Sequence, residues 1–488
     1  MISRKDECVM FFRKLAKDTA IYGGADLVGK SIIFVTFPII ATALSPLAFG
    51  ALELIGTVTA LLGMVMNCGL NNAVQRYYWD KETVNDQRPV IVTSGLVALF
   101  FFGVGTVAVS LFLLPFVLTK VHISGLPLTW IALVAALILM SLRQCHQYIL
   151  DVLRLHFASH KYLFISLIGN VLSALFSVLV VVYWRWGIDG LLTVQASVAL
   201  VILPLALWMI REDITLDFDS KWMLQLVHYG YPFIFAGLAY WLFGSMDRWM
   251  LAAMSSIEEV GIYSVAFRFA SIVVFVSTAF GQAWSPAAIK IYSDNPSIYR
   301  NIYAYMLLLL LFFMLMVGGG IALFSGEMIG LIMSKEYLPS AVPLTILCFG
   351  IVLQSTQQVT AIGISLEKKT FIFARLTWLT ALVNFVLNWI LIPLFGATGA
   401  AWATTFSYLV LTGSYLYFTQ RLHPLPIPWI RLSLILCLGA VLCAVALALN
   451  QSSLSWSAIG TKFLFATLLA LLGGVIVPIR KLCYARKI

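Results

Sequence analysis

Six charged side chains fall inside long apolar stretches of this sequence: Asp26, Lys30, Glu53, Asp247, Arg248 and Arg268. A charged group in the hydrocarbon core of a bilayer is costly, so such residues usually face a polar cavity and serve a function. A cation at this depth can bind an anionic group, and a carboxylate can bind and release a proton or a small cation. We therefore predict that these six residues form the functional site.

The elements that must position these charges are membrane helices. Hydrophobic residues make up 61% of the chain, charged residues make up 11%, and the mean hydropathy is +0.97. These values lie outside the range of soluble globular proteins. Apolar runs of about 20 residues, the length that crosses a bilayer, predict an all-α polytopic membrane protein with about fourteen helices. The first segment covers residues 19–44, the fourth residues 128–150 and the last residues 459–479.

The basic residues predict the orientation of these helices. If both termini are cytoplasmic, most of the 31 Lys and Arg residues fall in the cytoplasmic segments. This placement agrees with the rule that basic residues are retained on the cytoplasmic side of a membrane. This count assigns Arg143 to the cytoplasmic side and Lys462 to an outer loop. The net charge of +10 follows from the same asymmetry, so it does not indicate nucleic-acid binding.

The loops exclude several classes of protein. Connections of at most about twenty residues leave no room for a soluble catalytic or nucleotide-binding domain. The sequence has no GxxxxGK[ST] loop, and its seven cysteines have no metal-binding spacing. We therefore expect a protein that is not an enzyme and that needs no metal or cofactor, apart from a coupling H+ or Na+ ion.

Two pairs of similar turns indicate an internal repeat. Residues 43–50 (ALSPLAFG) resemble residues 254–261 (MSSIEEVG), and residues 186–190 (WGIDG) resemble residues 395–399 (FGATG). Both pairs are separated by six helices, which predicts two parallel six-helix lobes. The predicted lobes are residues 1–211 and 212–425, followed by a helix pair in residues 426–488. Pro38 and Pro232 lie in the first and seventh segments, the repeat partners, and we predict matched bending there during gating.

Several further motifs resemble a known family. They are residues 49–50 (FG), 69–76 (GLNNAVQR), 258–268 (EEVGIYSVAFR), 336–341 (EYLPSA) and 384–401 (NFVLNWILIPLFGATGAA). Their order and spacing are similar to those of the polysaccharide transporter family, the Wzx-like flippases of O-antigen and capsular oligosaccharides. This family belongs to the multidrug/oligosaccharidyl-lipid/polysaccharide exporter superfamily.

The resemblance implies a fold and a task. The fold would be two six-helix lobes in a V-shaped arrangement like that of MATE transporters, with a C-terminal helix pair. The task would be to move polyprenyl-pyrophosphate-linked oligosaccharide units to the outer leaflet of a bacterial inner membrane by alternating access. Membrane lipid would surround the protein, and glycan polymerase or export proteins would be its partners. In the related lipid II flippases the last helix pair is associated with a groove for the lipid tail.

The demands of this task assign roles to the buried charges. Lys30, Arg248 and Arg268 would hold the pyrophosphate in a wet cavity. Asp26, Glu53 and Asp247 would couple ions or act as gates. The polar side chains that could contact sugars are Asn67, Asn71, Gln282, Gln354, Asn384 and Asn388.

Each charge also has a structural explanation. Asp26 and Lys30 lie four residues apart and could neutralise each other. The adjacent Asp247 and Arg248 point in different directions and could be interfacial anchors. Neither Glu53 nor Arg268 has an oppositely charged residue one helical turn away in the sequence, and the repeat places them on similar faces of equivalent helices. We therefore predict that these two pair across the cleft in one transport state.

Two alternatives use the same scaffold: a MATE-type antiporter of drug or metabolite cations, and a lipid II flippase. A cation exporter should line its cleft mainly with acids, and Lys30 and Arg268 count against that class. A membrane scaffold without transport fits poorly with six charges inside membrane segments.

Overall fold

The computed structural model describes residue 24 and residues 27–80, 87–120, 129–294, 298–367, 369–449 and 456–476. Asp26 lies outside these residues. The α-helices of the described residues are α1 (Leu27–Ala43), α2 (Pro46–Asn67), α3 (Leu70–Tyr78), α4 (Arg88–Lys120), α5 (Trp130–Leu155), α6 (Ser159–Val178), α7 (Gly187–Met209), α8 (Ser220–Gly230), α9 (Pro232–Met254), α10 (Ile257–Asp294), α11 (Tyr299–Leu323), α12 (Ser325–Ile332), α13 (Ala341–Ser355), α14 (Gln357–Thr360), α15 (Ile362–Leu366), α16 (Thr370–Leu422), α17 (Trp429–Ala448) and α18 (Trp456–Ile476).

The described helices account for the predicted number of membrane segments. Eleven helical stretches are long and apolar enough to cross a bilayer. One of them, α16, consists of two helices that meet at Gly396. The shorter apolar helix α1 and the 21-residue apolar helix α18 bring the number to fourteen. The prediction of an all-α polytopic membrane protein is confirmed.

The chain forms two compact units, and the division falls within α9. The N-terminal unit is Met1–Trp241 and the C-terminal unit is Leu242–Ile488. In the N-terminal unit, α5 packs against α7 and α2. In the C-terminal unit, α13 packs against α10, α11 and α16, and α17 packs against α11. The lobe limits predicted at 211/212 and 425/426 stay predictions.

Local sequence explains where α2 and α5 begin. Ser45 accepts a hydrogen bond from the Ala48 amide at 3.3 Å, and Pro46 occupies the first helical position, where its missing N–H costs nothing. At the start of α5 the Thr129 hydroxyl accepts a hydrogen bond from the Ala132 amide at 3.2 Å. These caps fix the starts of α5 and of α2, which carries the predicted site residues Glu53 and Asn67.

The repeated WGIDG and FGATG turns both have a glycine with positive φ at the second position. Gly187 has φ +60° and Gly396 has φ +54°, and both occupy the second position of the motif. A Cβ atom on Gly190 would lie 2.4 Å from the Trp186 Cβ, and one on Gly399 would lie 2.2 Å from the Leu391 carbonyl oxygen. Both glycines of each motif are therefore required by the turn itself.

The acidic start of the EEVG motif has a structural role. Glu259 lies in the first turn of α10, and its Oε2 accepts a hydrogen bond from the Ala397 amide at 2.6 Å. This bond joins two segments that carry the family resemblance, residues 258–268 and 384–401. The motif residue thus stabilises the turn at Gly396 by accepting from a backbone amide beside the helix break.

The break between α2 and α3 lies against the break between α8 and α9. Cys68 and Gly69 have φ values of +48° and +68° and separate α2 from α3. A Cβ atom on Gly69 would lie 2.3 Å from the Gly230 carbonyl oxygen. The two backbones therefore touch at a point where a side chain has no room.

The two prolines of the predicted gate differ in their surroundings. Pro232 begins α9, directly after the interruption at Tyr231, whereas Pro38 lies inside the continuous helix α1. The helix that contains Pro232 is thus interrupted just before the proline, whereas α1 is continuous through Pro38. The predicted matched bending of the two helices stays a prediction.

A buried ion pair fastens the last helix to the C-terminal unit. The Lys462 Nζ atom on α18 lies 2.6 and 2.8 Å from the two carboxylate oxygens of Glu327 on α12. The Lys462 side chain is 0% exposed and that of Glu327 is 10% exposed. The prediction of Lys462 in an outer loop is wrong, because α18 has already begun at Trp456.

A histidine and two hydrogen-bonding partners join three helix ends in the N-terminal unit. The Tyr78 hydroxyl at the end of α3 lies 2.9 Å from both the His156 Nε2 and the Asp213 Oδ1. His156 caps α5 and also contacts the Asp213 carboxylate, which follows α7 and is 4% exposed. We call this set the first histidine cluster.

The C-terminal unit contains a similar set at its own helix ends. The Tyr299 hydroxyl at the start of α11 lies 2.9 Å from the His423 Nδ1, directly after α16. The His423 Nε2 lies 3.2 Å from Glu367 Oε1, directly after α15. We call this set the second histidine cluster.

Candidate functional site

Three helices of the C-terminal unit meet at the carboxylate of Asp247. This residue lies on α9 and is 3% exposed. Its Oδ2 atom accepts hydrogen bonds from the Tyr263 hydroxyl of α10 at 2.5 Å and from the Thr404 hydroxyl of α16 at 3.2 Å. Within the described part of the chain, Oδ1 accepts no hydrogen bond although it is buried. One oxygen of a buried carboxylate is therefore held in place while the other can accept a ligand.

Arg248 is buried beside this carboxylate and is held mainly by α10. Its Nε donates to the Ser264 hydroxyl at 3.2 Å, and its Nη1 donates to the Gly244 carbonyl at 2.9 Å. Its guanidinium carbon lies 5.3 Å from the centre of the Phe267 ring. These contacts are inside the protein, so the interpretation of Arg248 as an interfacial anchor is wrong.

Two asparagines of α16 lie near the same depth. Asn384 and Asn388 are buried, and the Asn388 Nδ2 donates to the Asn384 Oδ1 at 3.0 Å. Among the described residues the Asn388 Oδ1 has no hydrogen-bond donor. Asn388 precedes the turn at Gly396 by eight residues and Thr404 follows it by eight, so both lie about 12 Å from the turn. The depth of Asn388 therefore matches that of Thr404, which contacts Asp247.

The other predicted charges lie on separate helices. Lys30 is exposed on α1, and Glu53 is half-buried on α2. Arg268 is half-buried on α10, five residues after Tyr263. The pairing of Glu53 with Arg268 across a cleft stays a prediction. Two further predicted sugar contacts also lie on their own helices: Gln282 is exposed on α10 and Gln354 is half-buried on α13.

The predicted sugar contacts Asn67 and Asn71 belong to a polar network with α5. The Asn67 Nδ2 donates to the Asn71 Oδ1 at 2.9 Å and to the Gln144 Oε1 at 3.3 Å. The Asn71 Nδ2 donates to the Asp151 Oδ2 at 2.7 Å, and the Gln147 Nε2 donates to the Asp151 Oδ1 at 3.0 Å. The structure thus brings two predicted residues together with three residues of α5 that were not predicted from the sequence: Gln144, Gln147 and Asp151.

Arg143 is a further charge within a membrane helix. It is the fourteenth residue of α5, and α5 continues to Leu155. Its side chain is exposed, and its Nη2 donates to the Gln195 Oε1 at 2.9 Å. Arg143 therefore lies within a helix and not in a loop, and its assignment to the cytoplasmic side stays a prediction. The signal was in the sequence, because Arg143 falls inside the fourth predicted segment, residues 128–150.

The sequence of residues 15–292 matches the model of a family described as polysaccharide biosynthesis protein. The match covers more than half of the 488 residues. The chain belongs to the polysaccharide biosynthesis protein family. Together with the eleven membrane-length helical stretches among the described residues, this membership makes it a multi-pass membrane protein, as predicted.

A relative with a descriptive name is similar to about half of the chain. The protein named "Probable low-salt glycan biosynthesis flippase Agl15", from Haloferax volcanii, is 26% identical over 233 residues. The alignment covers 46% of this chain and 48% of that relative, so the chain spans about half the length of the relative.

Two solved structures have a similar fold over most of the chain. The lipid II flippase MurJ, in an inward closed conformation, superposes with a TM-score of 0.72 at 14% identity. That match covers 93% of this chain and 98% of MurJ. An inward-facing multidrug resistance MATE transporter superposes with a TM-score of 0.65 at 14% identity, over 80% of this chain and 94% of the transporter. The chain thus has the fold that MurJ and MATE transporters share.

Proposed function

We propose that this protein flips a polyprenyl-pyrophosphate-linked glycan from the cytoplasmic to the outer leaflet of a bacterial cytoplasmic membrane. Both termini would be cytoplasmic, the protein would not be an enzyme, and movement would occur by alternating access. Membership of the polysaccharide biosynthesis family supports the glycan. The names of Agl15 and MurJ, both flippases, support the movement of a lipid-linked substrate.

The observation that carries the proposal is the presence of cations within membrane-length helices. Arg268 is the twelfth of the 38 residues of α10 and Arg143 is the fourteenth of the 26 residues of α5, and both side chains are accessible at least in part. A pyrophosphate group needs cationic donors to replace its hydration, while a polyprenyl chain can stay in the lipid. A cation antiporter of the MATE type would gain nothing from these positive charges.

We further propose that the Asp247 carboxylate binds the coupling ion, H+ or Na+. Asp247 Oδ1 and Asn388 Oδ1 are buried oxygens without donors among the described residues, and hydroxyl oxygens of Tyr263 and Thr404 lie beside the carboxylate. Carboxylate, amide and hydroxyl oxygens are the ligands that hard cations prefer. Binding there would give one state of the transporter a higher ion affinity than another, which is the requirement for coupling.

We expect Arg268→Ala to slow flipping by about tenfold or more, because a charge-assisted hydrogen bond contributes about 1.5–3 kcal/mol. Lys30→Ala should slow it similarly. The assay would use the purified protein in liposomes with a fluorescent polyprenyl-pyrophosphate oligosaccharide, with Lys335→Ala as the control on an exposed cation of the predicted outer loop. Unchanged rates in both test variants would overturn the assignment of the pyrophosphate to these cations. Efflux of a hydrophobic cation without glycan movement would favour the antiporter.

We expect Asp247→Asn to remove the response of flipping to an imposed ion gradient, because the amide has the same shape but no charge to bind a cation or proton. Proteoliposomes with a Na+ gradient alone and with a pH gradient alone would identify the ion. Asp217→Asn is the matched control, since it makes the same change from carboxylate to amide at an exposed residue between α7 and α8. A gradient response that survives in Asp247→Asn would place the coupling elsewhere.

A further inference from the structure

The polar residues of α5 lie on one face of that helix. Arg143, Gln147 and Asp151 follow one another at intervals of four residues, which places them on the same side of a helix with 3.6 residues per turn. Val134 and Ile138 lie on the opposite side and line an apolar groove together with residues of α7. One helix thus carries an apolar face suited to lipid and, opposite it, a polar face.

The polar face must contact water rather than lipid. Arg143 lies about 20 Å from the start of α5, near the middle of a membrane-length helix. Its side chain and that of Gln147 are exposed. An arginine exposed to hydrocarbon at this depth is strongly unfavourable, so an exposed arginine here indicates a polar cavity.

Arg143 is oriented but its charge is not neutralised. Its Nη2 donates to the Gln195 Oε1, and the Gln195 Nε2 in turn donates to the Ser177 hydroxyl at 3.2 Å. Both partners are neutral, and no acidic side chain of the described residues forms an ion pair with Arg143. The remaining guanidinium N–H groups can therefore bind an oxyanion, and the planar fork of arginine favours a two-point contact with phosphate or carboxylate.

The next two turns of α5 present groups that suit sugar hydroxyls. The Asp151 carboxylate accepts hydrogen bonds from Gln147 and Asn71 and forms an ion pair with Arg154 at 3.3 Å, and its side chain remains 25% exposed. Amides both donate and accept hydrogen bonds, and a carboxylate accepts several, so together they can bind the donors and acceptors of a sugar hydroxyl. These residues lie one and two helical turns from Arg143, on the side of the helix that ends at His156.

We infer that the polar face of α5 binds the headgroup of the transported lipid, with Arg143 on an oxyanion and Gln147 and Asp151 on the adjacent sugar. This inference rests on the proposed function and names residues that select the substrate. The oxyanion could be the pyrophosphate or the carboxylate of an acidic sugar. Gln147 and Asp151 make the face specific for a glycosylated lipid over the bare lipid pyrophosphate.

Binding of defined lipids to the purified full-length protein in detergent tests this inference. The three probes are a polyprenyl pyrophosphate without sugar, the same lipid with one neutral hexose, and the same lipid with one uronic acid. Gln147→Ala and Asp151→Asn should each raise the Kd of the two glycosylated probes about tenfold and leave that of the bare lipid unchanged. Arg143→Gln should raise the Kd of all three probes if it binds the pyrophosphate, or of the uronic acid probe alone if it binds the sugar carboxylate.

The outcomes separate this inference from the proposed function. If the wild-type protein binds none of the probes, the flippase proposal and this inference both fail. If the wild type binds them and the α5 variants bind equally well, only the inference fails. A loss of affinity for all probes in Gln147→Ala would also overturn the sugar assignment, because the residue would then act on the lipid or on folding. Arg375→Gln, an exposed cation at the start of α16, should bind all probes as the wild type does.

Discussion

Replacing Lys462 with methionine is expected to lower the free energy of unfolding by about 3–5 kcal/mol, the usual cost of removing one partner of a buried ion pair. The ammonium group is fully buried and touches both oxygens of Glu327. Methionine fills a similar volume but leaves the carboxylate buried without its counter-charge. Denaturation with SDS in mixed micelles, followed by the fluorescence of the 14 tryptophans, measures the change.

A double variant separates the charge from the packing. Lys462→Met combined with Glu327→Leu removes both charges, and replacing a buried pair by apolar residues is often neutral or stabilising. We therefore expect the double variant to be close to the wild type in stability. A Lys462→Met protein as stable as the wild type would show that the pair does not fasten α18 to α12. If the single and double variants lose equal free energy of unfolding, the effect comes from packing and not from the charge.

The second large effect is expected from Gly69→Ala. The methyl group would lie 2.3 Å from the Gly230 carbonyl oxygen, and φ +68° is a conformation that alanine adopts at a cost. Left-handed strain of about 1–2 kcal/mol and overpacking of about 1–3 kcal/mol together predict a loss of about 2–5 kcal/mol. The same denaturation assay measures the change, and a lower yield of monodisperse protein should accompany it.

Gly56→Ala is the matched control for this change. Gly56 lies inside α2, is exposed, and has no atom within 4 Å of the added Cβ. Alanine in a helix interior is favoured over glycine by about 0.5–1 kcal/mol, so this variant should be as stable as the wild type or slightly more stable. Similar losses in both variants would contradict the close backbone contact at Gly69.

The sequence predicted the helices well because the bilayer imposes a simple rule. A run of about 20 apolar residues has few alternatives to a membrane helix, and the described helices follow the predicted segments. The loop charges were harder to assign. Arg143 and Lys462 were counted with the loops because the positive-inside rule weighs basic residues by position, and it carries no information on tertiary partners such as Gln195 and Glu327.

The candidate site was predictable only in part. Asp247 stood out because an acid in an apolar run is conspicuous. Its partner Thr404 lies 157 residues away and is an ordinary polar residue in a membrane helix. Asn67 and Asn71 were predicted as sugar contacts, but their link to Asp151 depends on the packing of α3 against α5. Contacts between distant segments follow from tertiary structure, which a single sequence does not specify locally.

The two histidine clusters bear on the history of the chain. In the predicted repeat, α5 is the fourth segment of the first half and α7 is the sixth. In the second half, the fourth segment ends with α15 and the sixth segment ends with α16. The first half has histidine after its fourth segment and an acid after its sixth, as His156 and Asp213 show. The second half has the reverse order, with Glu367 and His423. A duplicated gene that kept this contact while exchanging its two residue types would lose sequence similarity between its halves without losing the interaction. If one of these helix ends were transferred from one half to the other, histidine would face histidine or acid would face acid.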